Sequence, residues 1–182
     1  MGASAGGIEA LTFLLSALPP DFHPALIIVQ HLPRDRASLL PGIFAHRCAL
    51  PVFEAYDKQV IAPGTVFLAP ADYHLLIDQG PQLALSTEAP VHYSRPSIDV
   101  LFESAAEVYR HALMGVVLTG ANADGAAGLD AVRKRGGITV VQSPQTALYA
   151  AMPTAALALG PVDAVVSLDE LAAMLQTMKG AA

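Results

Sequence analysis

Short apolar runs rich in β-branched residues recur along the chain at Ala25–Val29, Leu113–Leu118, Ile138–Val141 and Ala164–Val166. Between the later runs lie segments long enough for a crossover helix, the alternation expected of an α/β fold. Ala25-Leu26-Ile27-Ile28-Val29 has no polar position, which predicts a strand covered on both faces in a parallel sheet. Gly6–Leu18 instead carries Leu11, Leu14, Leu15 and Leu18 at helical spacing, and Ser97–His111 does so through Ile98, Leu101, Phe102 and Ala105. Ser167-Leu168-Asp169-Glu170 has the form of a capping box and predicts the start of a last helix. The middle of the chain, Val52 to Leu85, reads differently. Val66–Leu68 and His74–Ile77 are short strand runs, and Asp78-Gln79-Gly80 is a turn before Gln82–Leu85. This predicts an antiparallel hairpin region inserted into, or hung on the edge of, the main sheet. The expected fold is α/β: a doubly wound, mainly parallel sheet flanked by helices, with an antiparallel hairpin addition.

Bulk properties narrow the classes of function. The 182 residues suit a single domain over 1–182, and 53% of them are hydrophobic. No apolar run approaches the ~20 residues of a membrane span, so direct membrane insertion is not expected. The net charge is −6 with Lys and Arg scattered, which argues against a nucleic-acid partner. The one cysteine, Cys48, rules out an intrachain disulfide and fits a reducing cytosol. The first residues lack the charged-then-apolar pattern of a secretory leader. A cytoplasmic location is expected.

In a doubly wound sheet, functional groups gather on loops leaving the carboxyl ends of strands. Three such loops are suggestive: Gly2-Ala3-Ser4-Ala5-Gly6-Gly7, Gln30-His31-Leu32-Pro33, and Thr119–Gly128 with Asp124. Serine, histidine and aspartate are the types that acyl transfer needs. The serine requires a neutral imidazole to take its proton, and the imidazole requires an acceptor to fix its tautomer. Gly2, Ser4 and Gly6 also fit G-x-S-x-G, the pattern of a nucleophile on a strand–turn–helix. Each element has a plainer reading. The first loop could be a flexible start, His31 a strand-end histidine, and Asp124 a cap for a helix from Gly125 to about Arg135. Gly120–Gly128 is also a natural anion site, but it lacks the P-loop lysine and Asp124 would repel a phosphate.

Other titratable residues carry less. His23, His46, His74, His92 and His111 show no metal-ligand spacing, so no metal and no cofactor are expected. Asp99 and Asp130 fall inside predicted helices, where a solvated or packing role is the default. Ser97 reads as a helix cap, and Arg95 as a candidate substrate contact on the active edge. Only three residues precede Ser4, too few for a full buried strand before a nucleophile turn. The expectation is a chain cut from a longer protein, or one with a truncated first strand.

Taken in order, Gly2–Gly7, Gln30–Pro33, Arg95-Pro96-Ser97-Ile98-Asp99-Val100-Leu101-Phe102, Leu118-Thr119-Gly120 with Asp124–Gly128, and Ala151-Met152-Pro153 resemble the catalytic domain of CheB-type chemotaxis receptor methylesterases. The resemblance runs nearly end to end. It implies hydrolysis of glutamate γ-methyl esters on the cytoplasmic helices of bacterial chemoreceptors, with deamidation of receptor glutamines as a related acyl transfer. It makes Ser4 the nucleophile, His31 the general base and Asp124 the residue that orients His31. Ala5 and Ala121 become oxyanion or substrate candidates alongside Arg95. Three positions depart from the family pattern: Ala5 where a threonine is common, Ala121 where a methionine is common, and Asn122 in place of a glycine. These residues include no receiver segment, so the expectation is a receiver that was excised, or a stand-alone or differently fused member, with a receiver domain or a methyltransferase as an expected partner. Two other readings stay open: an esterase acting on a protein outside chemotaxis, and a catalytically silent regulatory module.

Overall fold

The computed structural model describes residues 1–32 and 38–178; Pro33 of the second loop lies outside them. In chain order the elements are β1 (Gly2–Ala3), α1 (Gly7–Ser16), β2 (Leu26–Gln30), α2 (Leu40–Ala45), β3 (Val52–Glu54), β4 (Val66–Leu68), β5 (His74–Asp78) and β6 (Gln82–Ser86). They continue with α3 (Ile98–Tyr109), β7 (Met114–Val117), α4 (Ala126–Lys134), β8 (Ile138–Gln142), α5 (Ala151–Ala158), β9 (Ala164–Val166) and α6 (Leu168–Gln176).

Among the described residues, seven strands form one sheet in the order β3-β4-β2-β1-β7-β8-β9, every neighbour parallel. Successive residues of a strand face opposite sides, and the pairs Ile28/Val29, Val66/Phe67, Val116/Val117 and Val140/Val141 divide accordingly between two cores. On one face the first of each pair meets Leu11, Leu14 and Leu15 of α1, Phe44 of α2, and Leu171 and Leu175 of α6. On the other, the second meets Ile98, Leu101 and Phe102 of α3, Leu129 and Val132 of α4, and Met152 of α5. Burial on both faces explains why Leu26–Val29, Val66–Leu68 and Met114–Val117 carry no polar position, while in β8 the buried Thr139 hydrogen-bonds Asp163. The doubly wound α/β reading holds.

The middle region differs from expectation. Val66–Leu68 is not part of an antiparallel unit but an inner strand of the parallel sheet, paired with β2 on one side and β3 on the other. All three of its residues are buried, which suits a strand with two neighbours and two covered faces. The antiparallel addition is β5–β6 alone, with Leu75 opposite Leu85 and Ile77 opposite Leu83. It is a separate two-stranded sheet, neither inserted in the parallel one nor on its edge. Leu75, Ile77 and Leu83 seat it in the same core as α3, and Ser104 of α3 donates to no strand but receives the Ile77 N–H at 3.1 Å.

The capping box of α6 is complete. Ser167 Oγ accepts from the Glu170 N–H at 3.3 Å, and the Glu170 carboxylate accepts from the Ser167 N–H at 2.8 Å. Ser167→Ala should therefore cost about 1 kcal/mol. In a thermal melt that is a fall of roughly 2–4 °C for a domain of this size, with α6 the first helix to lose amide protection.

Candidate active site

Strand β1 is only two residues long, but it lies at the centre of the sheet, where the chain order reverses direction. That is the topological switch point, where doubly wound sheets open a crevice beyond the strand ends. Its neighbours are β2 and β7, in register as Gly2 opposite Val29 and Gly2 opposite Val117. Hydrogen bonds extend this register one step past the strands. The His31 N–H donates to the Ala3 carbonyl at 3.1 Å, and the Ser4 N–H donates to the Thr119 carbonyl at 3.0 Å. Three strand-end loops therefore leave the sheet side by side, carrying Ser4, His31 and the segment that ends in Asp124.

The side chains meet in a chain. Ser4 Oγ lies 3.1 Å from His31 Nδ1, and His31 Nε2 lies 2.7 Å from Asp124 Oδ2. A carboxylate at Nε2 calls for the proton there, which leaves the Nδ1 lone pair to accept from the serine hydroxyl. The ring is used the opposite way round from the serine-protease arrangement, in which Nε2 serves the serine. The Asp124 side chain has no solvent exposure, while the His31 side chain keeps 11%. The acid is sealed and the base remains reachable from the crevice.

Asp124 has four donors. Besides His31, its Oδ2 accepts from the Ile98 N–H at 2.7 Å, and its Oδ1 accepts from Ser97 Oγ at 2.8 Å and the Asp99 N–H at 3.0 Å. Burial pushes its carboxyl up, but the His31 ring, the Ile98 and Asp99 amides and the Ser97 hydroxyl together outweigh burial and hold it below the usual carboxylate value. Ser97 thus does more than cap α3, although it also accepts from the Val100 N–H. Asn122, noted as a departure from the family pattern, accepts from the Asp124 N–H at 3.1 Å and shapes the turn before it.

The paired glycines after Ser4 have separate reasons. Gly6 adopts φ +74°, the left-handed conformation that turns the chain into α1. Gly7 has no such dihedral, but a Cβ there would fall 2.1 Å from Gln30 Oε1 and 2.7 Å from Ala3 Cβ. Gln30, buried at the end of β2, donates from Nε2 to the carbonyls of both Ser4 (2.9 Å) and His31 (3.0 Å). It ties the serine loop to the histidine loop. Gly7→Ala should accordingly cost about 1–3 kcal/mol by overpacking and, by displacing Gln30, disturb the Ser4–His31 pairing, which a thermal melt and the His31 NMR signals of one variant can check.

Other residues that sequence reasoning passed over complete the frame. The Thr119 N–H donates to Gln142 Oε1 at 2.8 Å. Thr119 Oγ1 donates to the Ala5 carbonyl and accepts from the Tyr149 N–H, both at 2.9 Å. Ala5 follows the serine at the entry to α1, whose first-turn amides lack intrahelical partners. Ala121 is exposed on the adjacent loop, one residue beyond Gly120, where a Cβ would come within 3.0 Å of Ser4 Cβ. The hydrogen bonds of Arg95 go to residues outside this group. Its guanidinium binds Asp72 Oδ1 through Nε and Nη2 at 3.0 and 2.7 Å, and its Nη1 donates to the carbonyls of Thr87 and Glu88. Among the described residues no cluster of His, Cys, Asp or Glu is arranged to hold a metal ion, and no helix is long and apolar enough to cross a membrane.

Comparison with known proteins identifies the family and the fold. The family model described as CheB methylesterase matches residues 1–175. A Leptospira interrogans protein, provisionally named protein-glutamate methylesterase/protein-glutamine glutaminase, is 45% identical over 172 residues, covering 94% of this chain and 89% of its own. The Syntrophus aciditrophicus protein-glutamate methylesterase/protein-glutamine glutaminase 2 is 37% identical over 94% of this chain, which spans 51% of that protein. The crystal structure of the Thermotoga maritima CheB methylesterase catalytic domain superposes with a TM-score of 0.92 at 29% identity, covering 97% of this chain and 95% of that one. With its family model matched over residues 1–175, the chain belongs to the CheB methylesterase family.

Proposed function

We propose that this chain is a serine hydrolase that removes γ-methyl esters from glutamate side chains of bacterial chemoreceptors and deamidates receptor glutamines. The observation that carries the mechanism is the continuous Ser4–His31–Asp124 hydrogen-bonded chain at the switch point of the sheet. In this reading Ser4 Oγ attacks the γ-carbonyl carbon while His31 Nδ1 takes the hydroxyl proton. Collapse of the tetrahedral intermediate breaks the bond to the methoxy group, which leaves as methanol with the proton returned by His31. Water then attacks the glutamyl-serine ester by the same route, releasing a glutamate carboxylate and restoring Ser4. With glutamine the leaving group is ammonia. Asp124 keeps the Nε2 proton in place and stabilises the imidazolium.

Backbone N–H groups of Ala5 and Ala121 are assigned to the oxyanion. Amide donors beside a nucleophile at a helix entry are the usual device, and they do not depend on side chains. That assignment is supported by Ala5 directly following Ser4 and by Ala121 following Gly120, where a Cβ would lie 3.0 Å from Ser4 Cβ, and is compatible with alanine at each position. Arg95, with its guanidinium spent on Asp72 and two carbonyls, is assigned to holding the loop that precedes α3 rather than to the substrate. The acceptor surface is assigned to the cytoplasmic helices of the receptor, with the enzyme acting in the cytoplasm.

The test is methanol release from receptor membranes carrying methyl esters, run beside an unrelated methyl-esterified protein. Release from the receptor alone is the expected result. Equal release from both would favour an esterase of another target, and none from either would favour a silent module.

A further inference from the structure

Two buried acids near the site hold the starts of each other's helices. Asp124 lies just before α4, and its carboxylate accepts from the first-turn amides of α3, Ile98 and Asp99. Asp99 lies in that first turn of α3, and its Oδ1 accepts from the amides of Gly125 at 2.9 Å and Gly128 at 2.6 Å, at the start of α4. Each carboxylate therefore satisfies amides of the helix that the other one introduces. Such first-turn amides are orphan donors that must find acceptors when buried.

The close approach is built in. A Cβ on Gly128 would sit 2.7 Å from Phe102 Cβ and 2.9 Å from Asp99 Cα, so only glycine lets α4 come near enough. Asp99 is 4% exposed. Its other oxygen, Oδ2, faces His92 Nε2 at 3.4 Å on the solvent side. Burial drives its carboxyl up, opposed by the Gly128 amide; the charge of Asp124 raises it further, and His92 and the Gly125 amide pull it down. A buried acid beside another acid is costly. A helix start alone needs no such arrangement, since a surface serine or asparagine caps as well.

We propose that Asp99 is a positioning residue for the hydrolysis: by holding the Gly125 and Gly128 amides, it fixes the Asp124 carboxylate against His31. The Asp99 side chain touches neither the serine nor the base and acts only through the loop that carries Asp124, while its backbone N–H bonds the Asp124 carboxylate directly. The inference rests on the esterase reading for its rate effect, though not for its geometry.

Asp99→Ala and Asp99→Asn, made in the whole chain, test it with two readouts. One is kcat and KM for methanol release from methylated receptor membranes. The other is the far-downfield proton NMR signal of the His31 Nε2–H bonded to Asp124, which requires no turnover. Misplacement near 1 Å can cost on the order of 100-fold. Asp99→Ala should lower kcat about 10–100-fold with KM within about twofold, and shift or broaden the His31 signal. Asp99→Asn retains an oxygen acceptor for both amides and should restore kcat and the signal to near wild type.

A folded Asp99→Ala protein with wild-type kcat and an unmoved signal would overturn the proposal. So would an Asp99→Asn protein whose Gly125 and Gly128 amides stay protected from exchange while kcat falls as far as in Asp99→Ala. If Asp99→Ala does not fold, the asparagine variant with its amide-exchange measurement decides alone. Wild type that shows the downfield signal but releases no methanol would refute the esterase reading and leave the Asp99 geometry testable through that signal.

Discussion

Ser4→Ala is expected to lower methanol release from methylated receptor membranes by on the order of 10⁴-fold or more. The substitution removes one oxygen, the only group in the crevice that the proposed reaction joins covalently to the substrate. Ser4 is half-buried on a loop whose carbonyl is already held by the Gly7 amide and by Gln30 Nε2. Neither bond uses the hydroxyl, so the turn should survive. The melting temperature should stay within a degree or two of wild type. Residual turnover above the uncatalysed rate would come from the oxyanion donors and from substrate binding. Wild type and Ser4→Ala equally slow on every ester would mean the serine has no covalent role.

Asp124→Asn should cost both chemistry and stability, and the contrast with Ser4→Ala is informative. An amide offers one oxygen where the carboxylate offered two, yet four donors converge on it: the His31 ring, Ser97 Oγ, and the Ile98 and Asp99 amides. The amide NH₂ must face one or more of these, leaving buried donors unmatched. The cost is about 2–5 kcal/mol, a fall of roughly 5–20 °C in Tm for a domain of this size. With the wrong group at Nε2, the imidazole loses its fixed tautomer, and kcat should fall by on the order of 10⁴-fold.

The pH dependence gives a further check on the same variant. The Asp124 carboxyl is held below its ordinary value in the folded protein, so the unfolded chain binds the proton more readily. Its ionised form therefore contributes stability that is fully present above the unfolded value of about 3.9 and is lost as pH falls through the lower folded value. The gap in Tm between wild type and Asp124→Asn should be constant from neutrality to about pH 5 and should narrow below pH 4. A gap that stays level to pH 2 would mean that charge on Asp124 adds nothing.

What could be read from the sequence, and what could not, follows the range of the interactions. Unbroken apolar runs such as Leu26–Val29 announce a parallel strand because burial on two faces removes polar positions locally. Ser4, His31 and Asp124 stand out as reactive side chains on loops: His31 and Asp124 come after apolar runs, and Ser4 sits in a glycine-flanked G-x-S-x-G pattern. Gln30, Thr119 and Gln142 also sit at run ends, but nothing in their own neighbourhood marks them. Apart from the His31 carbonyl beside Gln30, their partners lie on segments far away in the chain. Asp99 looked like a solvated or packing residue because a helical acid usually is one. Its burial follows from Gly128, twenty-nine residues on by the hydrogen bond that joins them. Arg95 reads from the sequence as a substrate contact on the active edge; its ion pair with Asp72, twenty-three residues back, has no local signal. Val66–Leu68 is three residues long, too short to show a period, and only its long-range parallel partners define it.

The central place of β1 has a consequence for synthesis. His31 and Asp124 are 93 positions apart, and β7, which brings the acid, pairs directly with β1. A chain emerging from the ribosome presents the serine and its base early, along with β2, β3, β4 and the hairpin. At that stage the acid is absent, the Asp99 clasp has no partner helix, and one flank of β1 is bare. Contacts of such sequence separation form late. The nascent chain should therefore be hydrolytically silent until β7 docks, so that esterase activity switches on only as the sheet closes around its own nucleophile.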